Sequence, residues 1–217
     1  LRGMRALRVG ESFRGMGDFS VEAEVMRRVL GITVHQMGIQ ALEKSVRAVT
    51  DREVREEMAA DRRRFAGKVS LAVHERSVRL GLGLRRKLEQ GRYGAFSMNF
   101  LAFDRSEGPV STVPFMEASK AMARGIGYGG EGDTLTASLV GALQQGFGKT
   151  TFTEIFCPDW RGGTLFLSHM GEINPEVAAS KPVMSEYVYR FGAAKNPVVV
   201  TCAPKPGSTG STWRRSW

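Results

Sequence analysis

Between Arg5 and Val49 the apolar residues switch period three times. Arg5-Ala-Leu-Arg-Val9 is short and extended, and a Gly-rich loop follows from Gly10 to Gly17. Apolar residues at 21, 25, 26, 29 and 30 then fall on one helical face, and Gly31 is placed to end it. Ile32-Thr-Val-His35 returns to an extended pattern, and 39–49 to a helical one. A strand, helix, strand, helix order is the pattern of a parallel sheet covered by helices, so the fold class predicted is α/β, with a Rossmann-like parallel sheet.

The helical grammar continues. Asp51 to Phe65 reads as a helix with Thr50 at its N-cap and Glu53 three residues on, a capping box. A second helix spans about 68–90, with Gly81 and Gly83 weakening its middle. Ala95 to Phe103 reads as a strand, Pro114 to Arg124 as a helix ended by Gly125, and Thr134 to Gln145 as a helix. Beyond Gly146 extended segments prevail at 152–156, 164–168, 187–191 and 198–202, separated by Gly, Pro, Asn and Asp, with a short helical stretch at 176–179. The organisation predicted is an α/β domain over 1–145, a mostly antiparallel β segment over 146–203, and a disordered tail over 204–217, rich in Gly, Ser and Pro.

Charge narrows the function classes. The chain of 217 residues carries a formal charge of +9, with Arg and Lys in short clusters intermixed with Glu and Asp. Intermixing reads as solvated helix faces laced by i,i+4 pairs, not as a nucleic-acid stripe. No zinc-finger spacing, RNP-type strand or long basic run accompanies the charge, so a nucleic-acid-binding module is a reading supported by charge alone. No apolar run reaches the roughly 18 residues of a membrane span, and the first residues lack the apolar stretch of a secretory signal. The expectation is a cytoplasmic protein with no membrane partner, in which Cys157 and Cys202, 45 residues apart, are reduced thiols. The sequence opens without an initiator Met and ends in an aperiodic stretch, which reads as a piece of a longer protein.

Three polar islands carry the chemistry. They are Gly127-Tyr-Gly-Gly-Glu-Gly-Asp133, Thr151-Phe-Thr-Glu154 and Leu167-Ser-His-Met-Gly-Glu172. Each offers one ligand for a divalent cation: Glu131, Glu154 and His169. Spacings of 23 and 15 residues call for delivery by separate elements into one cleft. Alternation places Phe152, Glu154 and Phe156 on one face, and an acid between two aromatics needs solvent or a charged partner. His35 and His74 read as structural or surface residues. Gly125-Ile-Gly-Tyr-Gly-Gly130 follows a helix where the motif must follow a strand, and no acidic residue sits at the expected distance after a second strand, so it is not a dinucleotide fingerprint; Gly148-Lys-Thr150 lacks the first glycine of a phosphate loop.

In their order and setting these islands resemble the L-arabinose isomerase and L-fucose isomerase family, the arabinose isomerase branch most closely. Gly127 to Asp133 is similar to that family's ligand loop, Thr151 to Glu154 to its second acidic ligand strand, and Ser168-His169-Met170 with Glu172 and Pro175 to its first histidine ligand. Ala95 to Phe100 resembles the strand whose last aromatic lines the sugar pocket, and Leu7 to Gly10 the opening strand of the middle domain. The resemblance implies an aldose–ketose isomerase that holds a divalent metal, usually Mn²⁺, on Glu131, Glu154 and His169. Glu131 and Glu154 would move a proton between C1 and C2 through an enediol, and Phe100 would pack against the open-chain sugar. It further implies a homo-oligomer, trimer or hexamer. The family pattern also needs a second histidine ligand, whereas His169 is the last histidine here, and the family's N-terminal domain has no counterpart. The expectation is therefore the middle domain plus the start of the C-terminal domain, with weak metal binding and little turnover by itself. The alternative is a non-catalytic sugar-binding or regulatory relative. Which sugar is bound is not written in the motifs.

Overall fold

The computed structural model describes residues 1–15 and 19–206; the far end of the Gly-rich loop and most of the expected tail lie outside them. The α/β expectation holds. Strands β1 (Arg5–Val9), β2 (Thr33–Met37), β3 (Ala95–Met98) and β4 (Gly127–Gly129) form one parallel sheet in the order β2-β1-β3-β4. Helices α2 (Ile39–Arg47), α3 (Asp51–Arg64), α4 (Leu71–Gln90), α5 (Phe115–Ala123) and α6 (Thr134–Phe147) complete the layer, after a short α1 (Ala23–Val25).

Strand alternation divides the core. Leu7, Val9, Phe96, Met98 and Tyr128 face a cluster that includes Leu42 and Val46 of α2, Leu80 and Leu84 of α4, and Ala118 and Ala121 of α5. The opposite face carries Ala6 and Ala95, which join Met26, Ile32 and Ala137. That second face is built of small residues because α6 lies close against it. A Cβ at Gly127 would come within 2.2 Å of the backbone of Ala137 and Gly141.

Close packing also explains several departures from the sequence reading. β4 was expected as part of a polar loop, since two glycines in three residues have low strand propensity, yet those glycines are what admit α6. The helix expected over about 68–90 does form, as α4, and its glycines have a packing reason: a Cβ at Gly83 would lie 2.5 Å from Val46 Cγ2 and 2.9 Å from Val46 N, so glycine here permits α2 and α4 to touch. β3 stops at Met98, because Asn99 accepts a hydrogen bond from Leu101 N (3.0 Å) and starts a 3₁₀ turn over Phe100–Phe103. The helix expected over 21–30 shrinks to α1 and a π turn, Met26–Leu30, with Gly31 in the left-handed conformation (φ 70) ending it. Of its apolar residues, Val29 is exposed and only Met26 is fully buried. The Thr50–Glu53 capping box forms as expected.

The intermixed charges of α3, α4 and α5 are not a solvated face throughout. Arg85 binds both Glu57 and Glu117, Lys120 binds Glu57 (2.7 Å) and Asp61, Arg124 binds Glu117, and His74 Nε2 lies 3.0 Å from Asp61. Asp61, His74, Glu117 and Lys120 are buried, and an ion cluster stitches the three helices together. The simpler i,i+4 pairs do occur on exposed faces, as in Arg52–Glu56.

The remainder is antiparallel. β5 (Glu154–Asp159) pairs with β6 (Thr164–Ser168), and β7 (Val183–Glu186) with β8 (Val198–Thr201). The strand expected over 187–191 is not one. Tyr189 turns into the main core and Tyr187 packs against it, while β7 takes the pairing with β8. The helical stretch expected at 176–179 is a 3₁₀ turn, Pro175–Val177. Among the described residues no helix is long and apolar enough to cross a membrane.

Candidate functional site

In an open parallel sheet, ligands bind beyond the carboxyl ends of the strands, where the chain leaves neighbouring strands in opposite directions. Here that point lies between β1 and β3. The loops after β1, β3 and β4 deliver Phe13, Phe100 and Glu131 to the same region. Phe13 and Phe100 stack at 5.7 Å, and Phe13 N donates to Glu131 O at 2.8 Å.

Glu131 is held by an unusual backbone. It adopts φ 60, a left-handed conformation uncommon outside glycine, and is followed by Gly132 at φ 86. A Cβ at Gly132 would come within 2.6 Å of Ser12 Cα, so the β4 loop is pressed against the β1 loop. Asp133 then caps α6, accepting from Thr136 N at 2.9 Å. Ser97 Oγ, on β3, lies 2.6 Å from Gly129 O and 3.0 Å from Gly130 O and ties the loop to the sheet.

Glu154 and His169 meet through the β5–β6 hairpin. Glu154 pairs across the ladder with Ser168, so the 15-residue spacing closes to adjacent positions. Glu154 Oε2 and His169 Nε2 are 4.0 Å apart. The expected alternation holds only in part: Phe152 is buried against Tyr128 (5.5 Å) and the His169 ring (4.6 Å), but a bulge between Ile155 and Cys157 shifts the register and Phe156 is exposed. Both cysteines are free thiols.

Two further residues complete the cluster. Glu172, buried, accepts a hydrogen bond from Tyr128 Oη at 2.6 Å, and its other oxygen lies 2.8 Å from His169 Nδ1. That second approach is bent: neither His169 Nδ1 nor Glu172 Oε2 has a well-directed hydrogen bond. Sequence reasoning quoted Glu172 within a motif without giving it a role and passed over Tyr128. The signal available was an acid three residues after His169. A cavity of about 130 Å³ opens beside this group. Glu131, His169, Glu172 and Tyr128 form its polar side; Met98, Phe100, Phe115, Tyr187 and Phe191 form an apolar wall. Glu154 stands at the rim, 38% exposed and outside the lining.

The electrostatics are those of a site short of positive charge. Burial raises the Glu131 pKa, the Glu154 charge raises it further, and His169 only partly offsets them. Burial by itself would lower the His169 pKa, but the contact with Glu172 and the charges of Glu154 and Glu131 outweigh it and raise it. Both groups thus shift towards holding a proton. A divalent cation would supply the same charge, and two carboxylates with an imidazole are a suitable donor set for one. The set is nevertheless open: among the described residues no three His, Cys, Asp or Glu side chains are already gathered into a cage.

Comparison with known proteins identifies the family. A family profile describing the L-arabinose isomerase central domain matches residues 5–146. An L-arabinose isomerase of Mycolicibacterium smegmatis is 30% identical over 96% of this chain and 43% of its own length. One of Nocardioides sp. is 32% identical over 95% of this chain and 43% of its own, and L-arabinose isomerase 1 of Bacillus licheniformis 30% identical over 90% and 40%. The chain thus spans about two fifths of the length of these relatives. The match extends well past α6, through the hairpin that carries Glu154 and His169. The chain belongs to the L-arabinose isomerase family and carries its central domain.

Proposed function

We propose that this chain supplies the metal-binding and proton-transfer side of an aldose–ketose isomerase site, with Glu131, Glu154 and His169 as ligands for a divalent cation, Mn²⁺ by family resemblance. The observation that supports the reading is the approach of Glu154 to His169 at 4.0 Å, with Glu131 and His169 lining the same aromatic-walled cavity at the carboxyl edge of the sheet. When bound, the cation supplies Lewis-acid polarisation of a sugar carbonyl. The chain's own residues do the rest. Phe100, stacked between Phe13 and Phe191, gives the sugar a dry apolar face. Glu131 on the polar side and Glu154 at the rim supply the two carboxyl groups: one removes the proton from C2 of the open-chain aldose while the other protonates O1 to give the enediol, and the second then takes the O2 proton as the first returns its proton to C1 to give the ketose. The partner in this reading is an open-chain sugar, and the working form is a cytoplasmic homo-oligomer, trimer or hexamer, without nucleic acid or membrane. Exposed Ile155, Trp160, Phe166 and Leu167 on the hairpin support burial of that surface in an assembly.

Titration with Mn²⁺ tests the proposal without requiring turnover. The unmodified chain should bind, and Glu131→Ala, Glu154→Ala and His169→Ala should each bind at least about tenfold more weakly. Equal binding by all four proteins would sink it. The open ligand set favours one rival, a sugar-binding relative without turnover. Metal-independent sugar binding that survives all three substitutions is the result that would favour it.

A further inference from the structure

His169 divides its two ring nitrogens between two environments. Nε2 faces Glu154 and the cavity, while Nδ1 faces the interior and Glu172. Glu172 is only 2% exposed, and a carboxylate buried to that degree needs donors for both oxygens. Oε1 has the Tyr128 hydroxyl at 2.6 Å; for Oε2 the near partner is His169 Nδ1 at 2.8 Å.

Both supports of Glu172 are rigid. Tyr128 is 1% exposed on β4, with its ring held between Phe96 at 5.1 Å and Phe152 at 5.5 Å. The backbone around Glu172 is pinned as well: Ile173 N donates to Ser119 Oγ (3.1 Å) on α5, and Asn174 N to Thr151 Oγ1 (2.9 Å). Gly171, at φ 121, fits the chain against Phe115 and Val199. The carboxylate is therefore fixed by the sheet on one side and by α5 on the other, before any ligand arrives.

We infer that Glu172, anchored by Tyr128, is a positioning residue that holds His169 with the proton on Nδ1 and so turns the Nε2 lone pair towards Glu154 and Glu131. A carboxylate behind a ligating histidine fixes both ring orientation and tautomer, and its loss typically weakens metal binding about 10–100-fold. The inference rests on the reading of His169 as a ligand only for its consequence in metal affinity. The tautomer itself is a property of the metal-free chain.

Long-range ¹H–¹⁵N correlation of the imidazoles at alkaline pH, with Mn²⁺ affinity measured in parallel, tests it. The sequence has three histidines, so His169→Ala identifies the signal. The unmodified chain should show the Nδ1–H form at His169. Glu172→Ala should lose that preference and about 10–100-fold in Mn²⁺ affinity. Glu172→Gln, which keeps the volume and one acceptor, should lose less, and Tyr128→Phe, which removes only the anchor, less again; the Gln variant decides the matter if the Ala variant does not fold. An Nε2–H form in the unmodified chain, or a folded Glu172 variant with unchanged tautomer and affinity, would overturn the inference. Failure of the unmodified chain to bind Mn²⁺ would overturn the metal reading instead, and the tautomer would still decide the role of Glu172.

Discussion

Gly83→Ala sets two physical effects against each other at one position. On helix propensity alone, Ala inside α4 should stabilise by about 1 kcal/mol. The new methyl, however, would sit 2.5 Å from Val46 Cγ2 and 2.9 Å from Val46 N and Cα, and backbone atoms cannot rotate away. Restoring an ordinary contact of 3.4 Å to Cγ2 requires roughly 0.9 Å of separation between α2 and α4. Overpacking of this kind costs about 1–3 kcal/mol, and separation also strains the 2.9 Å hydrogen bond from Ser45 Oγ to Gly83 O, worth about 1 kcal/mol. Packing wins: the net expectation is a loss of about 1–3 kcal/mol, a fall in Tm of roughly 2–10 °C for a chain of this size. Gly146→Ala is the control, since it lies in the last turn of α6 with nothing within 4 Å of the added Cβ, and should raise Tm slightly. Thermal melts of the two variants against the unmodified chain give the answer. A Gly83→Ala variant as stable as Gly146→Ala would refute the close-packing argument.

The buried ion cluster yields two more expectations. Lys120→Met leaves Asp61 with only its contact to His74 and Glu57 with Arg85, and should cost about 3–5 kcal/mol in urea unfolding; an unmoved midpoint would show that the cluster contributes nothing. At Glu57, burial alone would raise the carboxyl pKa, but hydrogen bonds from Arg85 and the Lys120 charge hold it at about 2. A depressed folded-state pKa stabilises above the unfolded value and is lost as pH falls towards the folded one, so this share disappears between about pH 4.5 and pH 2. Allowing for partial solvent screening it amounts to about 1–2 kcal/mol. Glu57→Gln should therefore lose less stability than the unmodified chain between about pH 6 and pH 3, and parallel losses would count against the assignment.

Local rules made much of the fold legible. The period changes marked β1 and β2, the Thr50–Glu53 pair marked the start of α3, and α5 and α6 fell close to their expected bounds. The failures share one cause. β4 and the end of β3 depend on what passes alongside: α6 over Gly127 and Gly129, and an Asn99 cap that sends Phe100 into the cavity instead of along the sheet. Likewise, no helical wheel distinguishes Lys120 in a buried cluster from a lysine in water, because its partners lie on α3.

The same division runs through the candidate site. Residue type and local setting were enough to single out Glu131, Glu154 and His169 as candidates, since acids and an imidazole among glycines and aromatics have few structural uses, whereas Phe100 came only with the family resemblance. What brings them to one end of the sheet was not written locally. That placement required the β5–β6 register to bring position 154 beside 168, the pressed β1 and β4 loops to hold Glu131 at φ 60, and the packing of β4 against the 171–174 segment to set Tyr128 and Glu172 behind His169. Sequence determined which side chains are available for chemistry; tertiary structure decided which nitrogen of His169 faces the acids, because that choice depends on a buried carboxylate reached only through the fold.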